Sequence, residues 1–246
     1  MLFDKLKNDE NEYILHSYGR VDVALDKGKN AVAWDADGKK YIDFTSGIGV
    51  NSLGFADDGW VEAVCGQANK IQHMSNYYYS SVNIELAKKL SEVSGLSKSF
   101  FCNSGAEANE CAIKVAREYG KEYGAYKIIT LTNSFHGRTL TTLAATGQEN
   151  FHKSFLPLTE GFVYADITNS DEIKKHLDGS VCAVLIEMVQ GEGGVIPLDE
   201  SYVKQIRALC DEACILMIVD EIQTGVGRTG KRFAYLNYGV MPDVIT

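Results

Sequence analysis

The sequence predicts an α/β fold, a mainly parallel sheet with helices on both faces. Three observations carry that expectation. First, short continuous apolar runs such as Lys127-Ile-Ile-Thr-Leu131, Val181-Cys-Ala-Val-Leu-Ile186 and Cys214-Ile-Leu-Met-Ile-Val219 have strand length and no polar alternation. A strand apolar on both faces is buried on both, as in a parallel sheet covered by helices. Second, amphipathic stretches of helical period separate these runs. Third, glycine is plentiful at 23 and proline scarce at three, which suits many tight turns and few rigid linkers.

The elements follow in order. Ala31–Trp34 and Tyr41–Phe44 flank Asp35-Ala-Asp-Gly38, a turn signal, so residues 1–50 are expected to hold a small antiparallel hairpin. Residues 51–246 are expected to form one large domain. Trp60, Val61, Val64, Ala68 and Ile71 predict a helix over 59–74, and Ile84, Leu86, Ala87 and Leu90 another over 83–94. A strand is expected at Ser99–Cys102, then a helix over Ala106–Tyr119, the strand 127–131 and a shorter strand at Phe162–Ala165. Asn169 or Ser170 can cap a helix running to Leu177. The strand 181–186, a helix over 200–213, the strand 214–219 and a strand-like Val244-Ile-Thr246 complete the series.

Composition bounds the function. Of 246 residues, 24 are basic and 33 acidic, a net charge of −9, which argues against a general binder of nucleic acid or anionic membrane. No stretch approaches the ~18 apolar residues of a membrane-spanning helix. The opening MLFDKLKNDENEY is charged throughout and lacks the apolar core of a signal peptide. The six cysteines show no CxxC spacing and mostly sit in apolar stretches, so buried reduced thiols in a cytoplasmic protein are expected. The five histidines form no metal-binding spacing, and no metal is expected.

In a parallel sheet, ligands bind at the carboxyl ends of the strands. Four loops lie there. Asn103-Ser-Gly-Ala-Glu-Ala-Asn109 opens a helix, and the small Ser104, Gly105 and Ala106 let backbone N–H groups approach a phosphate. Asn133-Ser-Phe-His-Gly-Arg138 carries Phe135, able to stack on a flat ring, and Arg138, able to clamp a carboxylate. Glu187-Met-Val-Gln-Gly-Glu-Gly-Gly194 holds Glu192 at a strand mouth. Asp220-Glu-Ile-Gln-Thr-Gly225 ends an apolar strand on an acid that needs a partner, for which a protonated heterocyclic nitrogen would serve; Gln223 could bond a neighbouring ring substituent. Taken singly, each loop also reads as ordinary structure: a capped turn, a packed aromatic beside a surface arginine, a solvated acid, an N-cap aspartate.

Taken together, they suit pyridoxal phosphate, which combines a phosphate, a flat pyridine and a ring nitrogen. Gly225-Val-Gly-Arg-Thr-Gly230 matches GxGxxG, but it neither directly follows a strand nor opens a helix pattern, as a dinucleotide fingerprint requires. The same stretch nearly matches a phosphate loop, yet Arg232 stands where Ser or Thr should meet magnesium.

The segments YIDFTSGIGVNSLG, FFCNSGAEANECAIKVAR, FHGRTLTTLAATGQ, VQGEGGV and VDEIQTGVGRTG resemble the class-III pyridoxal-phosphate aminotransferases, of fold type I, over nearly the whole chain. The resemblance implies a phosphate site at Ser104, Gly105 and Ala106, with Phe135 and Ile222 on opposite faces of the ring. It pairs Asp220 with the pyridine nitrogen, in a catalytic role, and sets Gln223 by the phenolic oxygen. Arg138 would bind a substrate α-carboxylate, Glu192 would act as a gate, and Tyr18 and Arg20 would border the substrate site. Phe55 to Asp58 and Met188 depart from the usual family pattern without touching a chemical role.

The implied reaction moves an amino group from a small-molecule donor to 2-oxoglutarate. Acetylornithine is the first choice of donor, with ornithine, succinylornithine and 4-aminobutyrate as alternatives. A homodimer of the full-length protein is implied too. The family's Schiff-base lysine would fall about three residues past Thr246, so this chain is expected to stop short of it. It would also lack one sheet strand and the C-terminal domain, and be inactive by itself. Two other classes stay open: a non-catalytic binding protein on the same fold, and a nucleotide-binding oxidoreductase using GVGRTG.

Overall fold

The computed structural model describes residues 2–246. The chain divides into two compact units, the first ending at Ser80 and the second spanning Ser81–Thr246, a later division than the sequence boundary at 50/51.

The first unit holds helix α1 (Leu2–Tyr13), strands β1 (Leu25–Lys29), β2 (Val32–Asp35) and β3 (Lys40–Ile42), and helix α2 (Asp58–Ala68). The three strands form an antiparallel sheet in chain order. The predicted hairpin is β2–β3. Asp35 Oδ1 accepts from the N–H groups of Asp37 and Lys39, which closes the turn. Strand β1 and helix α1 were not expected, since neither Leu25-Asp-Lys-Gly-Lys29 nor the charged start shows a clear apolar period. Asp57 caps α2 by accepting from Trp60 N–H. This helix ends at Ala68, short of the predicted 74.

The second unit contains α3 (Ser81–Ser94), α4 (Gly105–Gly120), β4 (Lys127–Leu131), α5 (Leu140–Ala145), α6 (Glu149–His152), β5 (Phe162–Ala165), α7 (Ser170–His176), β6 (Val181–Glu187), β7 (Val189–Gln190), β8 (Ile196–Pro197), α8 (Glu200–Ala213), β9 (Leu216–Asp220), α9 (Tyr235–Tyr238) and β10 (Val244–Ile245). Five strands pair in the order β10-β9-β6-β4-β5, all parallel. Strand β6 is buried at every residue. Along it Val184 and Ile186 face one core, built with Ile173 of α7 and Val203 and Ile206 of α8. Ala183 and Leu185 face the other, built with Ala112, Ile113 and Ala116 of α4. That two-sided burial is the physical content of the continuous apolar runs.

Two expectations need correction. Ser99–Cys102 forms no strand. Among the described residues the sheet ends at β10 and β5 and offers this segment no ladder, and Phe100 and Phe101 stay exposed. The cysteines are not mostly buried: Cys182 and Cys210 are, while Cys65, Cys102 and Cys214 are exposed. Cys214 takes a left-handed conformation, φ 53°, that closes α8, so the strand starts two residues after it. Among the described residues no helix is long and apolar enough to cross a membrane.

Candidate functional site

The carboxyl ends of β4, β6 and β9 and the first turn of α4 surround a cavity of about 260 Å³. Gly105, Ala106, Phe135, Arg138, Asp220, Ile222 and Gln223 all line it. Four segments far apart in sequence thus meet where a parallel sheet places its ligands.

Ser104 caps α4 with its hydroxyl, which accepts from Glu107 N–H at 3.2 Å. It is not on the cavity wall, and Gly105 and Ala106 present the helix start to the cavity instead. A Cβ on Gly105 would lie 2.7 Å from Cγ2 of Ile222, so glycine lets the helix start and the Asp220 loop close on each other. Gly137 is constrained more severely. Its φ is 134°, and a Cβ there would lie 2.5 Å from Oγ1 of Thr142 and 2.9 Å from Cβ of Ala106.

Phe135 stands in the loop after β4, with its ring 5.7 Å from that of Phe151. The Arg138 guanidinium lies 5.4 Å over the Phe135 ring. Gln223 Nε2 donates to Glu192 Oε1 at 3.2 Å, which links the fourth loop to the third. Glu192 is exposed and stands beside the cavity wall through that bond. Tyr18 belongs to the first unit, where it is exposed.

Asp220 is the buried centre of the site, 5% exposed. Its Oδ2 accepts from Asn109 Nδ2 at 2.8 Å and pairs with His136 Nδ1 at 2.8 Å. Its Oδ1 accepts from Ile222 N–H at 3.0 Å. A carboxylate oxygen accepts, so Nδ1 of His136 is the donor of that bond. Nε2 is buried with no hydrogen-bond partner among the described residues.

Glu187 ends β6 in register with Asp220 at the end of β9. Its Oε2 accepts from Phe135 N–H at 3.0 Å and its Oε1 from Gly191 N–H at 3.4 Å. Burial, opposed by His136 and the two N–H donors and helped by nearby Asp220, raises its carboxyl to about 7. Strand alternation sends the next acid elsewhere. Glu221 accepts from Thr224 Oγ1, Ala234 N–H and Tyr235 N–H, which organises the loop after β9.

The motif reading did not single out Asn109, His136 or Glu187 as site residues. Asn109 stands four residues after Gly105 on α4, so helical spacing was the available signal for it. The GxGxxG stretch is turned in on itself. The N–H groups of Gly225, Gly227, Arg228 and Gly230 bond to backbone carbonyls, and no helix begins there. Lys231 Nζ donates to the Leu236 carbonyl at 2.8 Å. No lysine lines the cavity among the described residues.

Comparison with known proteins places this geometry. The class-III aminotransferase family matches residues 13–246. The chain is 50% identical to acetylornithine aminotransferase of Haemophilus ducreyi, over all of this chain and 64% of that one. Ornithine aminotransferase of Toxoplasma gondii superposes with a TM-score of 0.94 at 32% identity, over 99% of this chain and 59% of that one. N-acetylornithine aminotransferase of Stenotrophomonas maltophilia superposes with a TM-score of 0.80 at 35% identity, over 97% and 60%. The chain therefore spans about three-fifths of the length of these relatives. Class-III aminotransferases depend on pyridoxal 5'-phosphate. With parallel strand ends, a helix start and a buried aspartate converging on one cavity, and with residues 13–246 matched throughout, the chain belongs to the class-III aminotransferase family.

Proposed function

We propose that these residues form the cofactor-holding part of an aminotransferase that moves the terminal amino group of N-acetylornithine to 2-oxoglutarate. The products are N-acetylglutamate 5-semialdehyde and glutamate, a step of arginine biosynthesis. The observation that carries the reading is the state of Asp220. A carboxylate accepts about four hydrogen bonds. Three are taken by Asn109, His136 and Ile222, which leaves one direction on Oδ1, at the cavity wall, for a protonated ring nitrogen. The donor set fits the cofactor at its other end too, where α4 offers its positive end to a phosphate.

When bound, pyridoxal phosphate supplies an electron sink. Asp220 keeps the proton on the ring nitrogen, which maintains that sink. Gly105, Ala106 and the Ser104 backbone hold the phosphate, while the Ser104 hydroxyl oxygen accepts the helix-cap bond. Phe135 and Ile222 flank the ring and exclude water from its faces, and Gln223 sits by the phenolic oxygen. Arg138 takes the substrate α-carboxylate, and Glu192, already tied to Gln223, gates it. A cytoplasmic homodimer of the full-length protein completes the reading.

The amino donor is tested on the full-length product of the gene. Glutamate formation from 2-oxoglutarate is followed with N-acetylornithine, ornithine, succinylornithine and 4-aminobutyrate in turn. The reading predicts the highest kcat/KM for N-acetylornithine. A higher value for any other donor overturns the substrate, and no glutamate from any donor overturns the reaction.

A further inference from the structure

Asn109 is a buried amide with both N–H donors and one lone pair of its oxygen in use. Its Nδ2 donates to Asp220 Oδ2 at 2.8 Å and to the His136 carbonyl at 2.9 Å, and its Oδ1 accepts from Thr246 Oγ1 at 3.0 Å. The orientation of the amide is dictated by these partners. Turned over, it would set its oxygen against a carboxylate and a carbonyl, two acceptor–acceptor contacts in a buried place. Thr246 is itself held by backbone. Its N–H donates to the Val219 carbonyl, and its own carbonyl accepts from Glu221 N–H. A single side chain on α4 therefore ties together the end of β9, the loop after β4 and the residue following β10.

The position on α4 gives that tie its meaning. Asn109 stands one turn beyond Gly105, which lines the cavity with Asn109 itself. The helix that offers its start to the phosphate thus also fixes the carboxylate that faces the ring nitrogen. The two ends of the cofactor would be gripped from one rigid element, with Asn109 as the link.

We propose that Asn109, held by the Thr246 hydroxyl, is a positioning residue that aims the Asp220 carboxylate at the cofactor's ring nitrogen. The inference rests on the pyridoxal-phosphate reading given above. It assigns a function to a residue on the cavity wall that would otherwise be helix packing. Removal of Asn109 leaves Asp220 held by His136 on Oδ2 and Ile222 N–H on Oδ1, with one restraint fewer on rotation about its χ2. Removal of the Thr246 hydroxyl leaves Asn109 Oδ1 buried without a donor and loosens the amide that holds Asp220.

The test compares two probes that differ only at the ring nitrogen: pyridoxal phosphate and its 1-deaza analogue, which has carbon there. Dissociation constants for both are measured by absorbance titration on the wild type, Asn109→Ala, Thr246→Val and Thr246→Ser. Asp220→Ala serves as reference. Asn109→Ala is expected to weaken pyridoxal phosphate about tenfold or more while the deaza analogue changes less than about threefold. Thr246→Val follows in the same direction with a smaller effect, and Thr246→Ser restores the wild-type ratio. Thr246→Val keeps the side-chain volume, so it carries the test if Asn109→Ala fails to fold. Equal losses for both probes in the variants assign Asn109 to helix packing and overturn the inference while the cofactor reading stands. A wild type that holds neither probe overturns both.

Discussion

Asp220 and Glu187 occupy neighbouring strand ends, and the contrast between them sets what each can do. Asp220 is solvated by protein donors on both oxygens. Glu187 receives two backbone N–H groups, one of them long, and burial outweighs them. Its carboxyl titrates near 7 in the fold against 4.5 in the ordinary case. A folded value above the unfolded one means stability that is fully present below pH 4.5 and is lost as pH rises through about 7. The wild type should lose roughly 3 kcal/mol across that window relative to Glu187→Gln, a loss read by urea unfolding at a series of pH values. Parallel pH profiles for the two proteins would show that Glu187 is not charged at that cost. Gly137 provides a second residue-scale test. Gly137→Ala places a Cβ against Thr142 and Ala106 on a backbone with φ 134°, and should cost about 2–4 kcal/mol in the same assay. An unchanged unfolding midpoint would mean the loop has room that the geometry denies.

At the scale of elements, stability and site geometry share the same supports. Helix α8 covers one face of the sheet through Val203, Ile206 and Cys210. Its start is capped by Asp199, which accepts from Ser201 and Tyr202 N–H. Ile206→Ala should cost about 2–5 kcal/mol by opening a cavity against the sheet. Asp199→Ala should cost about 1 kcal/mol by exposing the helix start. If chemical denaturation ranked the two the other way, packing on the sheet would not be what holds this element. The elements legible in sequence were those whose burial leaves a pattern. Strands β4, β6 and β9 are continuous apolar runs buried on both faces, and helices α4, α7 and α8 each bury one face at helical spacing. The short elements leave no such pattern. Helix α5 has six residues and the β7–β8 pair two each, too few to establish a period. Ser99–Cys102 shows the converse: an apolar run predicts a wish to be buried, not the presence of a neighbour to pair with.

The whole molecule shows why the site was partly legible. Ligands collect at the carboxyl ends of parallel strands, so recognising the sheet pointed to the loops after β4, β6 and β9 before any contact was known. Phe135, Arg138, Ile222 and Gln223 stand where that rule places them. Asn109 and His136 escaped notice because their importance lies in what they bond to, and Asp220 is 111 and 84 residues away from them. No local pattern encodes such separations. Ser104 was legible as an N-cap candidate at the helix start, and its hydroxyl accepts from Glu107 N–H there. The two compact units add a constraint of scale, since Tyr18 lies in the first and the cavity wall belongs entirely to the second.

The central claim is that Asp220 and the strand-end loops form a pyridoxal-phosphate site whose cavity is lined by no lysine among the described residues. The measurement that tests it most directly is a visible-absorbance titration of the 246-residue polypeptide with pyridoxal phosphate. Borohydride reduction and mapping of modified lysines follow. The account predicts a saturable spectral change that Asp220→Ala weakens about tenfold or more, with no lysine labelled stoichiometrically. One lysine fully labelled, or binding indifferent to Asp220→Ala, would contradict it.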